Sequence, residues 1–588
     1  MSMVIKMIKD FQKLLKEKHI DYYIVPTDDD HQSEMVGDYY QVRAYLSGFD
    51  GSAGTLLVTP ENAYLWTDGR YFIQAAKQLE DSITLMKMRQ KGVPTILEFL
   101  SEHVEDGDVI GFDGQTMTYQ FVNQLEDVLD VDYEIKCIDL VKDFWKDRPE
   151  RSHEKAYIYD KQYHGMSAGE KIEIIQEYMK ENDCQSHIIT TLDDIAWTFN
   201  LRGNDIPCSP TALAFALITL DKSFLYLQQG TYDLDLVKAY QQENIFMKDY
   251  LDIYQDAADL KGRVLLSTNN VNYELVNQIQ CEIVDGTNPS QAFKSIKNDV
   301  EIKNTKNAHI KDGVAVTKFM YWLKNNFEKI NMDEISVSDK LLSFRSQQDL
   351  FIEPSFTTIC AYQENAALMH YHATKENHSD IHDGLLLIDS GGQYLDGTTD
   401  ITRTFVLGKV TDKQKYHFTK VLQGFLALQN AHFLYGATGL SLDILARYPI
   451  WADNIDYQCG TGHGVGHFLN VHEGPHGIRP VIRSTENTPL EAGMVVTDEP
   501  GVYLEGEYGI RHENELLVVE GVENEYGQFM HFETLTYVPI DLDGIDVDLL
   551  SNQERKWLNE YHKEVYNKIS PYLTNAEKDW LKEYTKEI

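Results

Sequence analysis

The sequence predicts an α/β (α+β) protein of several domains, and three observations predict it. At 588 residues the chain is too long for one hydrophobic core, so about three or four domains are expected. The first half runs twice through the same order of helix, apolar strand, acidic pair, aromatic–glycine segment and strand pair. From about residue 305 to 540, helices alternate with glycine-punctuated strands.

In the first copy an amphipathic helix over roughly 3–18 leads into the strand Asp21–Pro26, an acidic turn at Asp28, Asp29 and Asp30, and RAYLSGFDG at 43–51. Two strand-like runs follow, GTLLVT and AYLWTDGRYF, separated by a turn at Pro60, Glu61 and Asn62. The second copy opens at Ser167 and Glu170, a capping box, with Ile172, Ile175 and Met179 at helical spacing. The strand His187–Thr191, the pair Asp193 and Asp194, IAWTFNLRG at 195–203, and the runs ALAFALITL and FLYLQ complete it. KDRPERSHEK at 146–155 reads as the linker between copies, and a second boundary falls near 290–305. The expected domains are therefore 1–148, 149–298 and 299–588, with a helical tail at 551–588 suited to packing or subunit contact.

Bulk properties exclude several functions. A formal net charge of -40 opposes binding to a phosphate backbone, which needs a basic surface, so no nucleic-acid partner is expected. No apolar run approaches the ~20 residues of a membrane span, and the N-terminus lacks a signal-peptide core, which predicts cytoplasmic residence. Six dispersed cysteines without a CxxC pair suit reduced, mostly buried thiols.

One constellation carries chemistry. Asp389 and Asp400 lie eleven apart in two strand-like runs, His463 and His472 nine apart, and Glu499 and Glu513 fourteen apart around a turn at Gly506. A hairpin there would bring the two glutamates together, and a chain reversal would do the same for the aspartates. Asp389 and Glu499 each follow an apolar strand run, LLLI and MVVT, where an uncompensated carboxylate costs several kcal/mol. Four carboxylates and one imidazole suit a pair of divalent cations, manganese-like by their oxygen content, with zinc or cobalt also admissible. Such a pair activates a water for peptide hydrolysis.

These residues resemble the aminopeptidase P branch of the pita-bread metallopeptidases. The resemblance runs through AHIKDGVAV, MHYH, LIDSGGQYLDGTTDITRTF, GTGHGVGHFLNVHEGP and DEPGVYLEGEYGIRHEN, and through DDDHQSE, SGFDGSAGT and WTDGRYF in the first copy. It implies two creatinase-like N-terminal domains before a pita-bread catalytic domain, and hydrolysis of an N-terminal Xaa-Pro bond by a water shared between two metals, manganese by family usage. It assigns Asp389 to one ion, Asp400 and Glu513 to both, and His463 and Glu499 to the other. Glu499 doubles as general base, His370 and His472 contact substrate and oxyanion, Arg70 binds the peptide, and Arg511 supports Glu513. The implied partners are peptides with proline second and a second copy of the chain. Cys459 departs from the family, which carries histidine four residues before the metal histidine. A prolidase reading is disfavoured by the second N-terminal repeat, and a non-catalytic peptide-binding reading by the intact ligand set.

Overall fold

The duplicated pattern of the first half folds into duplicated topology. Among the described residues, 3–482 and 488–588 of this computed structural model, each copy supplies a six-stranded sheet. With strands numbered along the chain within each sheet, both run 4-3-2-1-5-6. Strands 1–2 and 2–3 pair antiparallel and the other three pairs parallel in both sheets. The chain clusters into two compact units, residues 1–159 with 166–290, and residues 160–165 with 291–588.

Within the first unit, the helix Met3–Lys18 buries Ile8, Phe11 and Leu15 at helical spacing against the first sheet. Ser167 and Glu170 form the capping box that opens the helix Ala168–Glu181, which buries Ile172, Ile175 and Met179. One local expectation is corrected. The run AYLWTDGRYF is a strand only over Ala63–Thr67. Asp68 accepts the Arg70 amide and caps a 3-10 turn that continues as the helix Phe72–Gln78. Within the acidic turn, Asp29 and Asp30 are buried. Asp29 accepts the amides of His31 and Ser33, and Asp30 pairs with Arg151 at 3.1 Å. The six thiols are free as expected, yet two of them, Cys184 and Cys360, are buried; the rest retain exposure.

The second unit positions the candidate site, and its elements are labelled separately. Helix α1, Asp299–Asn326, is opened by an Asn298–Glu301 capping box and buries Val314, Phe319, Met320 and Leu323. Strands β1 (Gly384–Ser390) and β2 (Ile401–Leu407) pair antiparallel, Asp389 opposite Thr402. The chain between them makes a second small hairpin, Gln393–Tyr394 with Gly397–Thr398. Helix α2 is Gly439–Trp451. Strand β3 (Val495–Asp498) precedes the hairpin of β4 (Gly501–Leu504) and β5 (Tyr508–Arg511), which turns through Gly506. Strand β6 (Asn514–Asn524) returns to pair with β3, Asp498 opposite Asn514. The tail forms the helices Asn552–Ile569 and Asn575–Tyr584 and buries Leu558, Tyr561, Val565 and Leu581 in the core of this unit. No described helix is long and apolar enough to cross a membrane.

Burial has a pH consequence in the first unit. His31 is 1% exposed, its Nδ1 lies 2.8 Å from the Thr190 carbonyl and its Nε2 2.6 Å from the Tyr250 hydroxyl. Burial pushes its pKa down to about 4 from the ordinary 6.5. The unfolded chain therefore binds a proton that the folded chain refuses, and the stability His31 contributes above pH 6.5 is lost as pH falls toward 4. Replacing it (His31→Asn) should flatten the pH dependence of urea unfolding in that window by up to about 1.4 kcal/mol per pH unit. A variant with the parental slope would show that His31 does not titrate with folding.

Candidate metal centre

Strand register gathers side chains that lie far apart in sequence. Asp389 is the penultimate residue of β1 and Asp400 immediately precedes β2, so the reversal between the strands returns the second aspartate to the first. Gly391 makes that reversal possible: a Cβ there would sit 1.8 Å from the Thr399 carbonyl oxygen. Glu499 and Glu513 flank the open end of the β4–β5 hairpin, where Gly501 pairs with Arg511. His463 lies on the short strand Gly462–His463, and a Cβ on Gly462 would meet the Thr497 carbonyl oxygen at 1.9 Å. Close approach of that strand to β3 therefore requires glycine.

Ligand atoms of Asp400, His463 and Glu513 all lie within 4.8 Å of one another. His463 Nε2 is 3.4 Å from Asp400 Oδ2 and 3.6 Å from Glu499 Oε1. Its Nδ1 is 3.0 Å from the Gly464 carbonyl, an acceptor, so Nδ1 donates there and Nε2 faces the carboxylates. His472 stands edge-on to His463 with ring centroids 4.3 Å apart. His370 is half-buried in the loop after the 3-10 turn Gln363–Ala367, which packs on β5. Arg70 belongs to the first unit, where its guanidinium is held by both oxygens of Asp68 at 2.9 and 2.8 Å. Cys459 is half-buried against the aromatic core that includes Tyr457 and Tyr503. His467, His476 and His512 serve the fold: the first two bond the carbonyls of Tyr163 and Val495, and His512 packs edge-on against Phe418.

The electrostatics are those of crowded negative charge. Burial first, then Asp389, Glu499 and Glu515, pushes the Asp400 carboxyl well above its ordinary range. Burial first, then Asp400, Asp389 and Glu499, does the same to Glu513. Among the described residues, Oδ1 of Asp389 and Oδ1 of Asp400 are buried without a hydrogen-bond partner. Buried carboxylate oxygens left bare cost several kcal/mol, and cations among them remove that cost. The donor set therefore fits divalent metal.

Several supporting residues escaped sequence reasoning. Glu515 is fully buried, accepts the Asp400 amide at 2.6 Å and meets His309 at 3.1 Å. Thr402 donates to Glu513 Oε2 at 2.7 Å. Period-two alternation along Glu513, Asn514 and Glu515 was the available signal, since it puts both glutamates on one face of the strand. Arg511, expected to support Glu513, reaches Thr402 Oγ1 through its Nε at 3.1 Å, the hydroxyl that donates to Glu513, and it also donates to Asp389 Oδ2 at 2.5 Å.

Comparison with known proteins agrees with this geometry. Residues 303–520 match the model of metallopeptidase family M24, and 528–588 match the C-terminal region of that peptidase. Residues 7–148 and 147–301 each match a creatinase/prolidase N-terminal domain. A probable Xaa-Pro aminopeptidase P of Laccaria bicolor is 39% identical over 96% of this chain and 90% of its own length. The chain belongs to the Xaa-Pro aminopeptidase P branch of metallopeptidase family M24. Aminopeptidase P2 of Arabidopsis thaliana is likewise 39% identical, over 94% of this chain and 84% of its own. The crystal structure of X-prolyl aminopeptidase from Caenorhabditis elegans, described as a cytosolic enzyme with a di-nuclear active site, superposes with a TM-score of 0.94. It is 33% identical, and the match covers 100% of both chains. Like its family, the chain is a metal-dependent aminopeptidase, hence a hydrolase.

Metal-free protein should register the crowding directly. A carboxyl whose folded pKa is raised stabilises the fold below the ordinary carboxylate range and loses that contribution as pH rises. In chelator-treated protein near pH 8, Asp400→Asn should raise the melting midpoint by about 2–4 °C, and it should blunt the rise produced by added divalent cation. A lower midpoint for the metal-free variant would contradict this account of the centre.

Proposed function

We propose that this chain removes the first residue of peptides whose second residue is proline, using two divalent ions held by Asp389, Asp400, His463, Glu499 and Glu513. Asp389 would serve one ion, His463 and Glu499 the other, and Asp400 and Glu513 both. The observation that carries the reading is the convergence of Asp400, His463 and Glu513 within 4.8 Å, beside an Asp389 whose second oxygen has no protein partner. When bound, such a pair of ions lowers the pKa of a shared water toward neutrality and polarises the scissile carbonyl.

The remaining steps belong to the chain's own groups. Glu499, 3.6 Å from His463, accepts the proton released from the attacking water and can pass it to the departing amine. His472, edge-on to His463, and His370 donate to the oxygen on which charge develops, each worth about 3 kcal/mol in such a role. Arg511 and Thr402 hold Asp389 and Glu513 in place, which keeps the acceptors preorganised. Arg70 takes its substrate-binding role in this reading from its motif, through charge-assisted hydrogen bonds to the peptide. A bond into proline has no N–H and a fixed ring, so sites that hydrogen-bond that N–H lose a partner, whereas a specialised site offers the ring an apolar pocket.

Manganese as the ion, a homodimer and a cytoplasmic setting complete the reading, as do domain limits at 148 and 298. Four carboxylates to one imidazole support manganese. The net charge of -40 supports the absence of a nucleic-acid partner.

Purified protein loaded with manganese should release arginine from Arg-Pro-Pro and leave a matched peptide without proline at position two intact. Chromatographic quantification of the free amino acid reads the outcome. Turnover confined to dipeptides such as Ala-Pro would replace the proposal with a prolidase.

A further inference from the structure

One fully enclosed guanidinium grips the segment that leads into His463. Arg447, in the third turn of α2, has 0% exposure. Its Nε and Nη2 donate to the two oxygens of Asp443, one turn earlier, at 2.8 and 3.0 Å. Nη1 donates to Asp456 Oδ1 and to the Tyr457 carbonyl, both at 2.8 Å. Nη2 also reaches the Cys459 carbonyl at 3.1 Å and Thr461 Oγ1 at 3.3 Å, while the guanidinium lies over the Tyr457 ring at 3.8 Å. A lysine ammonium is a single point of charge and does not span that array.

Thr461 is where this grip meets the metal centre. Its hydroxyl donates to Asp443 Oδ1 at 2.6 Å, so the Tyr457 hydroxyl, also 2.6 Å away, is the donor to Thr461 Oγ1. Its carbonyl accepts the Glu499 amide at 2.7 Å, and its own amide is tied to the Ile478 carbonyl at 2.8 Å. His463 follows two residues later, with its amide on Thr497 Oγ1 at 3.1 Å. The Asp389 side of the centre is held differently. Arg511 takes the carboxylate, and Arg345 takes the neighbouring Ser390 carbonyl at 3.1 Å. A buried ion pair is a poor source of stability, since apolar replacements are often as good, whereas the hydrogen bonds of this one fix the path of the 456–461 segment.

We infer that Asp443, Arg447 and Thr461 are positioning residues for one half of the centre. They fix His463 and Glu499, and hence the affinity for the ion those two hold, without governing the ion on Asp389. The inference rests on the two-ion reading above and adds that the two halves are braced independently.

The test titrates manganese into metal-free protein by calorimetry, with electron paramagnetic resonance reporting the coupled ion pair. Thr461→Val keeps the side-chain shape and removes the oxygen, whereas Thr461→Ser keeps the oxygen. Thr461→Val should bind one ion as the parent does and the other about 10–100-fold more weakly, with the coupled signal lost at limiting metal. At limiting metal kcat falls with KM unchanged, and excess manganese restores it; Thr461→Ser stays close to the parent throughout. Should Thr461→Val melt too low to assay, Arg447→Lys is expected to give the same split. Parental affinity for both ions in Thr461→Val, or an equal loss of both, overturns the inference. If the parent itself binds one ion at most, the two-ion reading fails first and takes this inference with it.

Discussion

Four carboxylates enclosed in one small volume repel one another, and the second unit is arranged around that repulsion. Among the described residues it is neutralised only in part. Arg511 meets Asp389, yet Asp400 and Glu513 keep their carboxyls well above the ordinary range because they are buried beside further negative charge. Left bare, such a cluster opposes folding; filled with cations, it becomes a site where the same field is turned on a water and a peptide carbonyl. The energetic burden and the chemistry are thus one feature seen with and without metal.

Holding mutually repelling groups together demands bracing from outside the cluster, and the chain supplies it from every side. Glu515 and His309 hold the Asp400 main chain, Thr402 holds Glu513, and Asp443 with Arg447 and Thr461 holds the approach to His463 and Glu499. Arg403, itself fully buried, donates to the carbonyls of Glu513 and Val538 and to the Tyr561 hydroxyl. It thereby ties β2 and the Glu513 segment to the first tail helix. The tail is consequently part of the scaffold of the centre.

Much of this was legible because the signals were local. Apolar runs ending in a carboxylate marked Asp389 and Glu499, and the Gly506 turn marked the hairpin that brings Glu499 and Glu513 together. The duplicated order of the first half announced duplicated sheets. What stayed hidden depends partly on partners distant in sequence and partly on short-range caps that the apolar pattern does not report. The burial of Asp29 and Asp30 in the acidic turn is explained by Arg151, from the linker, and by the His31 and Ser33 amides nearby. Asp68 carried a cap rather than a strand, a choice that the apolar pattern of AYLWTDGRYF masks. Arg447 gave no sign of its role, since a lone arginine on a helix reads as surface until the 456–461 segment folds over it. Glu515 was hidden inside a motif already explained by Glu513.

The central claim is that the five side chains enclose two cations. The most direct measurement is an anomalous difference map, recorded at the manganese edge from crystals grown with saturating manganese. Two peaks are expected, about 3.5–4 Å apart, bounded by Asp389, Asp400, His463, Glu499 and Glu513. A map without signal between those residues, or with one peak shared by all five, would contradict the account.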